Sequence, residues 1–354
     1  MKTKTAITPF PRCPALDGYH CQTNSLAKIY RFYGHPLSEE MLLGLGAGLG
    51  FIYWRMKGKD DIGAGDAVFV GCRGNNKDFF TDIGRRTGVG ITVSATASAK
   101  KAGTELMEKL DRREPAMVFG DMAYLPWFDF PPDYHFGGHT FVVCGYDGKD
   151  RALASDMDPA AAGLKKGLYA EISLEQLARA RGSTFKPFPP HNALLQFDFS
   201  RYREPTAVDI REAIRQTAND MLHPPIKNLG VKGIRLTARE IRLWQDYFND
   251  HDLRFNLFNL YVYIEIGGTG GGSFRPMYAR FLQEAAAVTG DKRLTPAADA
   301  VMECGKMFTE IALLFKEAEK ERHLSERIAQ ASVLYGRIAD REEEAFGYLR
   351  EVTR

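Results

Sequence analysis

The chain has 354 residues, of which 44% are hydrophobic and 26% are charged, and its formal net charge is +2. This is the composition of a soluble globular protein long enough for about two domains. So small a net charge argues against nucleic acids and anionic membranes as partners. The first residues contain no apolar core of signal-peptide length, and no stretch approaches the roughly 20 apolar residues that span a bilayer. We therefore expect a cytoplasmic protein.

Cysteine usage indicates a reduced protein without a metal centre. The five cysteines are scattered, and no two of them form a C-x-x-C pair. The sequence therefore predicts neither a disulfide framework nor a zinc site, and we expect no metal or other cofactor. The positions are Cys13, Cys21, Cys72, Cys144 and Cys304.

The first predicted helix begins at a cysteine. A turn-like segment, DGYH, precedes Cys21, and apolar residues then recur at helical spacing from Leu26 to Tyr33, where Gly34 ends the helix. A thiol in the first helical turn faces unpaired backbone N–H groups and the positive end of the helix dipole. Both favour the thiolate, which is the form that attacks carbonyl carbon. The alternative is that Cys21 is a small buried hydrophobic residue.

Mixed helix and strand patterns follow as far as residue 200. Ser38 and Glu39 open a second short helix, and HTFVVCGYDGKDRALASD predicts a hairpin that turns at its DG dipeptide. The other predicted elements are alternating segments at 67–71 and 91–94, a helix at 101–110, a strand in EPAMVFGD, a capped helix in ISLEQLARARG and a strand in NALLQFDF. This half is predicted to be an α+β domain with an antiparallel sheet.

The second half is predicted to be helical. LTAREIRLWQDYF carries a Thr237-x-x-Glu240 capping box, and SFRPMYARFLQEAAAVTG is an amphipathic helix that ends at its glycine. From Pro296 onward, the pattern predicts a pair of long helices with charged faces, which could also form a homodimer interface. The polar segment SRYREPT marks the boundary. We expect a catalytic α+β domain over residues 1–200 and an all-α domain over residues 201–354.

A thiolate nucleophile needs an imidazole partner, which in turn needs an orienting group. His139 opens a strongly apolar strand after two glycines, and a strand is a rigid mount for a catalytic side chain. A two-residue turn would place Asp156 opposite His139, while Asp158 would fall on the same face and is the alternative. Taken singly, a buried core histidine and a turn-capping aspartate explain these residues. Together, Cys21, His139 and Asp156 predict a catalytic triad.

Several motifs resemble known families. The order Cys, His, Asp on helix, strand and strand is similar to that of the papain-like cysteine enzymes, and GGHTFVVCGYD with SDMDP resembles the hairpin of bacteriocin-processing peptidases. GYHCQTNSLAKIYRFYGHPLSEEMLLGLGAGLGFIYW, HFGGHTFVVCGYD and ISLEQLARARGS resemble the N-terminal domain of the butirosin-biosynthesis H-type acyltransferases. EIGGTGGGSFRPMYARFLQEAA resembles the helical domain of unknown function that commonly follows that domain.

This resemblance implies a papain-like catalytic domain and acyl transfer in secondary-metabolite biosynthesis. The family moves an aminoacyl group from the thioester of an acyl carrier protein onto an amine, so the implied partners are a carrier protein or other thioester donor and an amine-bearing small molecule. By the matching positions, Cys21 would take the acyl group, His139 would shuttle the proton and Asp156 would orient the imidazole. A cysteine peptidase or amidase and a non-catalytic binding protein are the alternatives.

One position departs from the papain-like pattern. Papain-like peptidases usually carry an oxyanion-hole glutamine six residues before the cysteine, and Ala15 stands there in this chain. The backbone N–H of Cys21 remains as one donor, and Gln22 and Asn24 are nearby amides that we expect on the helix surface. Losing one donor typically costs ~3 kcal/mol. This departure disfavours peptide hydrolysis more than transfer from an already activated thioester.

A glycine-rich loop, in VYIEIGGTGGGSFR, is the second candidate site. A strand followed by glycines is also typical of nucleotide or S-adenosylmethionine sites, but the residues after this loop read as helices without the βαβ units of a doubly wound fold. Bare backbone beside a helix N-terminus can hold a carboxylate or a phosphate. We expect Gly268, Gly270, Gly271 and Arg275 to contribute to an acyl-donor pocket that faces Cys21. A tight interhelical turn is the alternative.

The remaining substrate-binding candidates, besides Gln22, lie near the predicted strands. Asp121 ends the AMVFGD strand and Tyr124 follows it, so each could line the cleft or shape a turn. His135 lies in a loop rich in proline and glycine and is a less favoured base than His139. Trp127 is interpreted as a packing residue.

Overall fold

The computed structural model describes residues 6–56, 67–71, 73–75, 77–130, 134–159 and 163–354. It shows a mixed α/β protein with antiparallel sheets and a helical C-terminal region. The α-helices described are α1 (Cys21–Phe32), α2 (Glu39–Leu45), α3 (Phe79–Thr87), α4 (Ala99–Asp111), α5 (Leu174–Gly182), α6 (Ala207–Leu222), α7 (Gly230–Glu240), α8 (Trp244–Tyr247), α9 (Asp250–Tyr261), α10 (Arg275–Thr289), α11 (Thr295–Phe315) and α12 (Leu324–Val352). The strands described are β1 (Tyr53–Met56), β2 (Ala67–Val70), β3 (Gly90–Ser94), β4 (Ala116–Gly120), β5 (His139–Tyr146), β6 (Arg151–Met157), β7 (Gly167–Ser173) and β8 (Leu194–Asp198).

Two compact units divide the chain. The first consists of Met1–Glu39 and Val89–Arg201, and the second consists of Glu40–Gly88 and Tyr202–Arg354. Residues 40–88 were expected in the first domain, but those of them that the structure describes belong to the same unit as the helical second half.

Apolar contacts within the second unit explain where residues 40–88 pack. The centroid of the Phe51 ring lies 5.9 Å from that of Phe308 in α11 and 6.3 Å from that of Tyr335 in α12. Gly44 in α2 makes room for the Phe281 ring of α10, because a Cβ at this glycine would overlap the ring. These partners are remote in sequence, so no local pattern reveals them.

The first unit is built on an antiparallel sheet with the strand order β3-β8-β4-β5-β6-β7. β5 is buried along nearly all of its length, as expected of a strand that is covered on both faces. α1 packs against β5, and α4 and α5 pack against β4. Gly120 pairs with His139, so the end of β4 lies beside the start of β5. The core includes Leu106, Leu110, Val118, Phe141, Val143, Ala154 and Leu177.

α1 begins and ends where the sequence predicts. His20 caps it, since its ring nitrogen Nδ1 accepts a hydrogen bond from the backbone N–H of Thr23 at 3.4 Å. Gly34 follows the helix with a φ of 89°, in the left-handed region that favours glycine. The helices and strands predicted at α2, α4, α5, β4, β5, β6 and β8 are likewise confirmed. β7 was not predicted, because Ile172 is its one buried residue and the apolar alternation is weak.

In the second unit, α11 and α12 confirm the long helical pair predicted from Pro296 onward. The predicted capping box is wrong, because Thr237 lies inside α7, where its hydroxyl donates to the Gly233 carbonyl at 2.9 Å. A capping box forms instead at the start of α6, between Thr206 and Asp209. Among the residues described, no helix combines the length and the apolarity needed to cross a bilayer.

Candidate active site

The start of α1 is held by one buried carboxylate. This carboxylate belongs to Glu39, which lies 19 residues after His20 in the sequence. Burial of Glu39 raises its pKa, and the hydrogen bonds it accepts oppose this shift. The donors are the backbone N–H groups of Tyr19 (3.1 Å) and His20 (3.2 Å), the Thr23 hydroxyl (2.6 Å) and the Asn24 amide (3.1 Å). These bonds fix the backbone immediately before Cys21, the first residue of the helix.

Gly18 is required by this arrangement. A Cβ at this position would overlap Glu39 Oε1 and Asn24 Nδ2. Gly18 also forms a two-way backbone bridge with Lys165, with N–O distances of 2.9 and 2.8 Å. The DG pair of the turn before Cys21 is therefore a close-contact site as well as a turn.

Cys21, His139 and Asp156 come together in the first unit. Nε2 of His139 lies 2.7 Å from Oδ2 of Asp156. Because Nε2 faces the carboxylate, Nδ1 is the ring nitrogen left for the sulfur of Cys21, which hydrogen-bonds the His139 side chain. The backbone N–H of Thr140 also faces this sulfur. Cys21 itself is partly exposed, as access by a substrate requires.

The three groups shift one another toward their charged forms. Burial opposes the Cys21 thiolate, but its hydrogen bonds to His139 and Thr140 outweigh burial and lower the pKa of the thiol. Burial likewise opposes the imidazolium, but Asp156 and then Cys21 outweigh it and raise the pKa of His139 to about 10. Burial would raise the pKa of Asp156, but His139 and Lys28 lower it. A thiolate–imidazolium pair beside a carboxylate is the state that this geometry favours.

The hairpin that carries His139 and Asp156 differs in register from the prediction. Tyr146 pairs with Ala152 and Val142 pairs with Ser155, so the turn is longer than two residues, and a bulge interrupts the ladder near Cys144. By continuation of this register, position 156 lies opposite position 141. The predicted pairing of 139 with 156 is therefore wrong by two residues. An even shift keeps Asp156 on the face of His139, and the side chains meet diagonally.

Asp156 has further hydrogen-bond partners that sequence analysis missed. The indole Nε1–H of Trp127 donates to Oδ2 at 2.8 Å, and the backbone N–H of Met157 donates to Oδ1 at 2.8 Å. The Lys28 ammonium, fully buried in α1, donates to the Asp156 backbone carbonyl at 3.4 Å. Trp127 is thus a hydrogen-bond donor as well as a packing residue. An indole followed by Phe128 in a loop before His139 is the weak signal that could have indicated this.

Lys165 is a second buried lysine near the nucleophile. Its ammonium donates to the Pro159 carbonyl at 3.2 Å. Burial lowers its pKa, and the negative charges of Asp158, Asp156 and Cys21 oppose that shift, in decreasing order. Its position beside Cys21 follows from the backbone bridge to Gly18, which no sequence motif indicates.

Asp121, His135 and Tyr124 form a cluster of their own. The buried Asp121 carboxylate accepts hydrogen bonds from His135 Nδ1 (2.8 Å) and the Ser183 hydroxyl (2.6 Å), and from the backbone N–H groups of Phe136 and Ala123. The His135 ring stacks on Phe185 at 3.5 Å, and the Tyr124 ring lies 4.9 Å from the Arg179 guanidinium carbon. Among the described residues, neither Cys21 nor His139 is a hydrogen-bond partner of Asp121. This cluster anchors the loop that leads into β5.

The two side-chain amides near Cys21 differ in their hydrogen bonding. Asn24 donates to Glu39 and to the Leu16 and Asp17 carbonyls, so its amide is committed to the helix start. Gln22 is half-buried, and its Oε1 is buried without a hydrogen-bond partner among the described residues. A role for Gln22 in substrate binding stays a prediction.

The glycine-rich loop belongs to the second unit. Gly268, Gly270 and Gly271 have φ values of 74°, 74° and 79°, which explains why glycine is needed there. Residues 262–266, which could be read as a strand, continue α9 as a π-helical turn. The Gly272 N–H donates to Glu265 Oε1 at 3.0 Å, so this carboxylate closes the loop.

Arg275 has a structural role in the same unit. Its side chain is fully buried, and it donates to both carboxylate oxygens of Glu342 at 2.7 and 3.0 Å. It also donates to the carbonyls of Gly50 and Ser273, each at 2.8 Å. The Arg275 guanidinium is therefore engaged by the Glu342 carboxylate inside the unit, whereas the sequence predicted a substrate contact. The expectation that the loop faces Cys21 stays a prediction.

The side chains around Cys21 include the groups that nucleophilic chemistry requires. Across the described residues, no group of three or more His, Cys, Asp or Glu side chains is placed to hold a metal ion. A sulfur that ionises readily, an imidazole and a carboxylate that holds the imidazole are the groups found in sites of covalent nucleophilic catalysis.

Two family models match the chain. One, described as butirosin biosynthesis protein H, N-terminal, matches residues 20–157 and therefore contains Cys21, His139 and Asp156. The other, described as a domain of unknown function (DUF4872), matches residues 175–349. No curated protein matches the chain.

Proposed function

Because the chain belongs to the family in which the N-terminal domain of butirosin biosynthesis protein H is followed by DUF4872, we propose that it is a cysteine-dependent acyltransferase of secondary-metabolite biosynthesis. Its donor would be an acyl or aminoacyl thioester, on a carrier protein or another thiol. Its acceptor would be an amine-bearing small molecule. The first unit would have a papain-like fold.

The observation that carries this proposal is the contact between Cys21 and His139, with Asp156 on the far side of the imidazole. A thioester carbonyl is already activated, so a thiolate that forms below the usual thiol pKa is a sufficient nucleophile. The leaving thiol requires a proton, which a His139 imidazolium with a pKa of about 10 holds at neutral pH.

The acyl transfer would proceed in two half-reactions, acylation of Cys21 and transfer of the acyl group to the amine. The Cys21 thiolate attacks the donor carbonyl, the C–S bond of the donor breaks, and the leaving thiol takes the proton of His139. The neutral imidazole then removes a proton from the incoming amine, which attacks the acyl-enzyme and expels the Cys21 thiolate. The imidazolium is thereby restored, and Asp156 keeps Nδ1 pointed at the sulfur throughout.

The oxyanion of each tetrahedral intermediate would be stabilised at the start of α1. The backbone N–H of Cys21 is one donor there, and the helix dipole favours negative charge at this end. The Nε2–H of the Gln22 side chain is the candidate for the second donor, because Asn24, the other nearby amide, donates to the groups at the start of the helix. Ala15, at the position of the usual glutamine, has no group to donate.

The test is intact-protein mass spectrometry with aminoacyl N-acetylcysteamine thioesters. We expect one acyl group on Cys21, released as an amide when amines are added. Cys21→Ala should abolish the adduct, whereas Cys304→Ala, at a buried cysteine in α11, should retain it. Release at the same rate without amine would favour a hydrolase. The absence of an adduct on protein whose Cys21 still reacts with iodoacetamide would refute acyl transfer.

A further inference from the structure

Two cysteines that the mechanism does not use lie against each other in the first unit. The side chains of Cys13 and Cys144 share a hydrogen bond, and both are buried, with exposed fractions of 2% and 0%. Cys13 lies in the segment before α1, and Cys144 lies at the bulge of β5. The backbone N–H of Phe10 donates to the Cys144 carbonyl at 2.6 Å and ties this segment to the strand.

The surroundings of the two thiols differ. Cys13 lines a surface groove of about 600 Å³, together with Phe10, Arg12, Arg31 and Tyr169, whereas Cys144 is not among the residues that line it. The hydrogen bond from Cys144 lowers the pKa of Cys13, and the nearby Lys28 ammonium adds to this, against the effect of burial. The same hydrogen bond and burial raise the pKa of Cys144. Because Cys13 borders the groove and Cys144 is fully buried, Cys13 is the thiol of the pair that a peroxide meets first.

We propose that Cys13 and Cys144 are a redox-sensitive pair, which hydroperoxides convert to a disulfide, and that closure of this disulfide slows the chemistry of Cys21. The Cys13 thiolate attacks a peroxide oxygen, the O–O bond breaks, and hydrogen peroxide yields water and a Cys13 sulfenic acid. Cys144 then attacks the Cys13 sulfur and displaces hydroxide, which leaves as a second water. Two thiols are oxidised, and a dithiol reductant reverses the reaction.

Formation of the Cys13–Cys144 disulfide would affect the active site through α1 and β6. Sulfur atoms in a thiol–thiol hydrogen bond are further apart than the roughly 2.05 Å of a disulfide, so one segment must move. The Pro14 carbonyl, next to Cys13, accepts from the Ser155 hydroxyl at 3.2 Å, and Ser155 precedes Asp156. Lys28, which faces both cysteines, lies on α1 and contacts the Asp156 carbonyl. A displacement of Cys13 therefore acts on the helix of Cys21 and on Asp156.

The experiment uses limited hydrogen peroxide on the full chain, followed by mass spectrometry. We expect a species lighter by two hydrogen atoms and a peptide that links Cys13 to Cys144, both reversed by dithiothreitol. Iodoacetamide then reports on Cys21 in the lighter and the reduced species of one sample. We expect the lighter species to react about 10-fold more slowly, which is the loss that a rise of about one unit in the pKa of the Cys21 thiol causes below that pKa.

Three cysteine variants serve as controls for the oxidation experiment. Cys21→Ser keeps both thiols of the pair and should still form the link, which separates it from oxidation of the nucleophile. Cys144→Ser should gain an oxygen at Cys13 instead, and Cys304→Ser should behave as wild type. If Cys13 and Cys144 remain alkylatable after denaturation of peroxide-treated Cys21→Ser protein, the disulfide is refuted. If the link forms and Cys21 reacts at the same rate in both species, its effect on catalysis is refuted. Neither result depends on the acyl-transfer proposal.

Discussion

The substitution Asp156→Asn isolates the charge of the orienting carboxylate. An asparagine at this position keeps an oxygen that can accept from His139 Nε2, but it removes the negative charge. A pKa of about 10, against the ordinary 6.5, corresponds to about 5 kcal/mol in favour of the imidazolium, and Asp156 is the largest favourable contribution. Without it, burial lowers the pKa of His139, and the Cys21 thiolate is the remaining favourable charge.

The sign of the expected change follows from the role of His139 as the acid. In the wild type, the imidazolium persists until the pH rises through about 10, so acylation of Cys21 should decline only near that pH. In Asp156→Asn, we expect this alkaline limb to move to lower pH by at least about one unit, which is about 1.4 kcal/mol. The acid limb reflects thiolate formation, which begins below the ordinary thiol pKa because the pKa of Cys21 is lowered.

The assay is the pH dependence of the acylation rate constant, measured by mass spectrometry with a thioester donor in excess. The matched control is Asp158→Asn, at the aspartate that follows the end of β6, which should leave the limb in place. An unchanged alkaline limb in Asp156→Asn would contradict the assignment of Asp156. An equal shift in both variants would show that the effect is one of overall charge and not of the contact with His139.

Two further substitutions test contacts that hold the site: the hydrogen bond from Trp127 to Asp156 and the packing of Gly18 against Glu39. Trp127→Phe keeps the aromatic ring but removes the N–H that donates to Asp156, so we expect a loss of ~2 kcal/mol in the free energy of unfolding, measured with urea, and slower acylation; wild-type values for both would show that this bond contributes nothing. Gly18→Ala should cost ~1–3 kcal/mol, because its Cβ overlaps Glu39, whereas Gly103→Ala on α4, with open space around its Cβ, should be neutral or slightly stabilising. Equal stability of the two alanine variants would argue against close packing at Gly18.

Local sequence patterns were sufficient to predict the helix of Cys21 and the β5–β6 hairpin in the first unit. The helix of Cys21 has a capping residue, an apolar stripe and a terminating glycine within 15 residues, and each acts through neighbours in sequence. The β5–β6 hairpin is equally local, but its register is not, because neither the bulge at Cys144 nor the longer loop changes the alternation of apolar residues. The face of Asp156 was nevertheless predictable, since a shift by two residues preserves it.

The parts that sequence analysis missed depend on contacts between remote segments. Trp127 and Lys28 meet Asp156 only in the folded unit, and no spacing rule links them. The pairing of Cys13 with Cys144 is of the same kind, because a disulfide-competent pair has no signature once its members lie on different elements. At the glycine-rich loop, the motif is typical of an anion site, but it does not reveal that Arg275 is engaged by a carboxylate of its own unit.

Burial acts differently on the three proposed reacting groups and on two buried groups that hold them. Burial alone favours the neutral form of any ionisable side chain. It prevails at Lys28, whose pKa is lowered, and at Glu39, whose pKa is raised. It is outweighed at Cys21, His139 and Asp156, each of which is shifted toward its charged form by the other groups of the site. The charged state is therefore a property of these three contacts and not of the pocket around them, which is what a nucleophile with its acid and its orienting group requires.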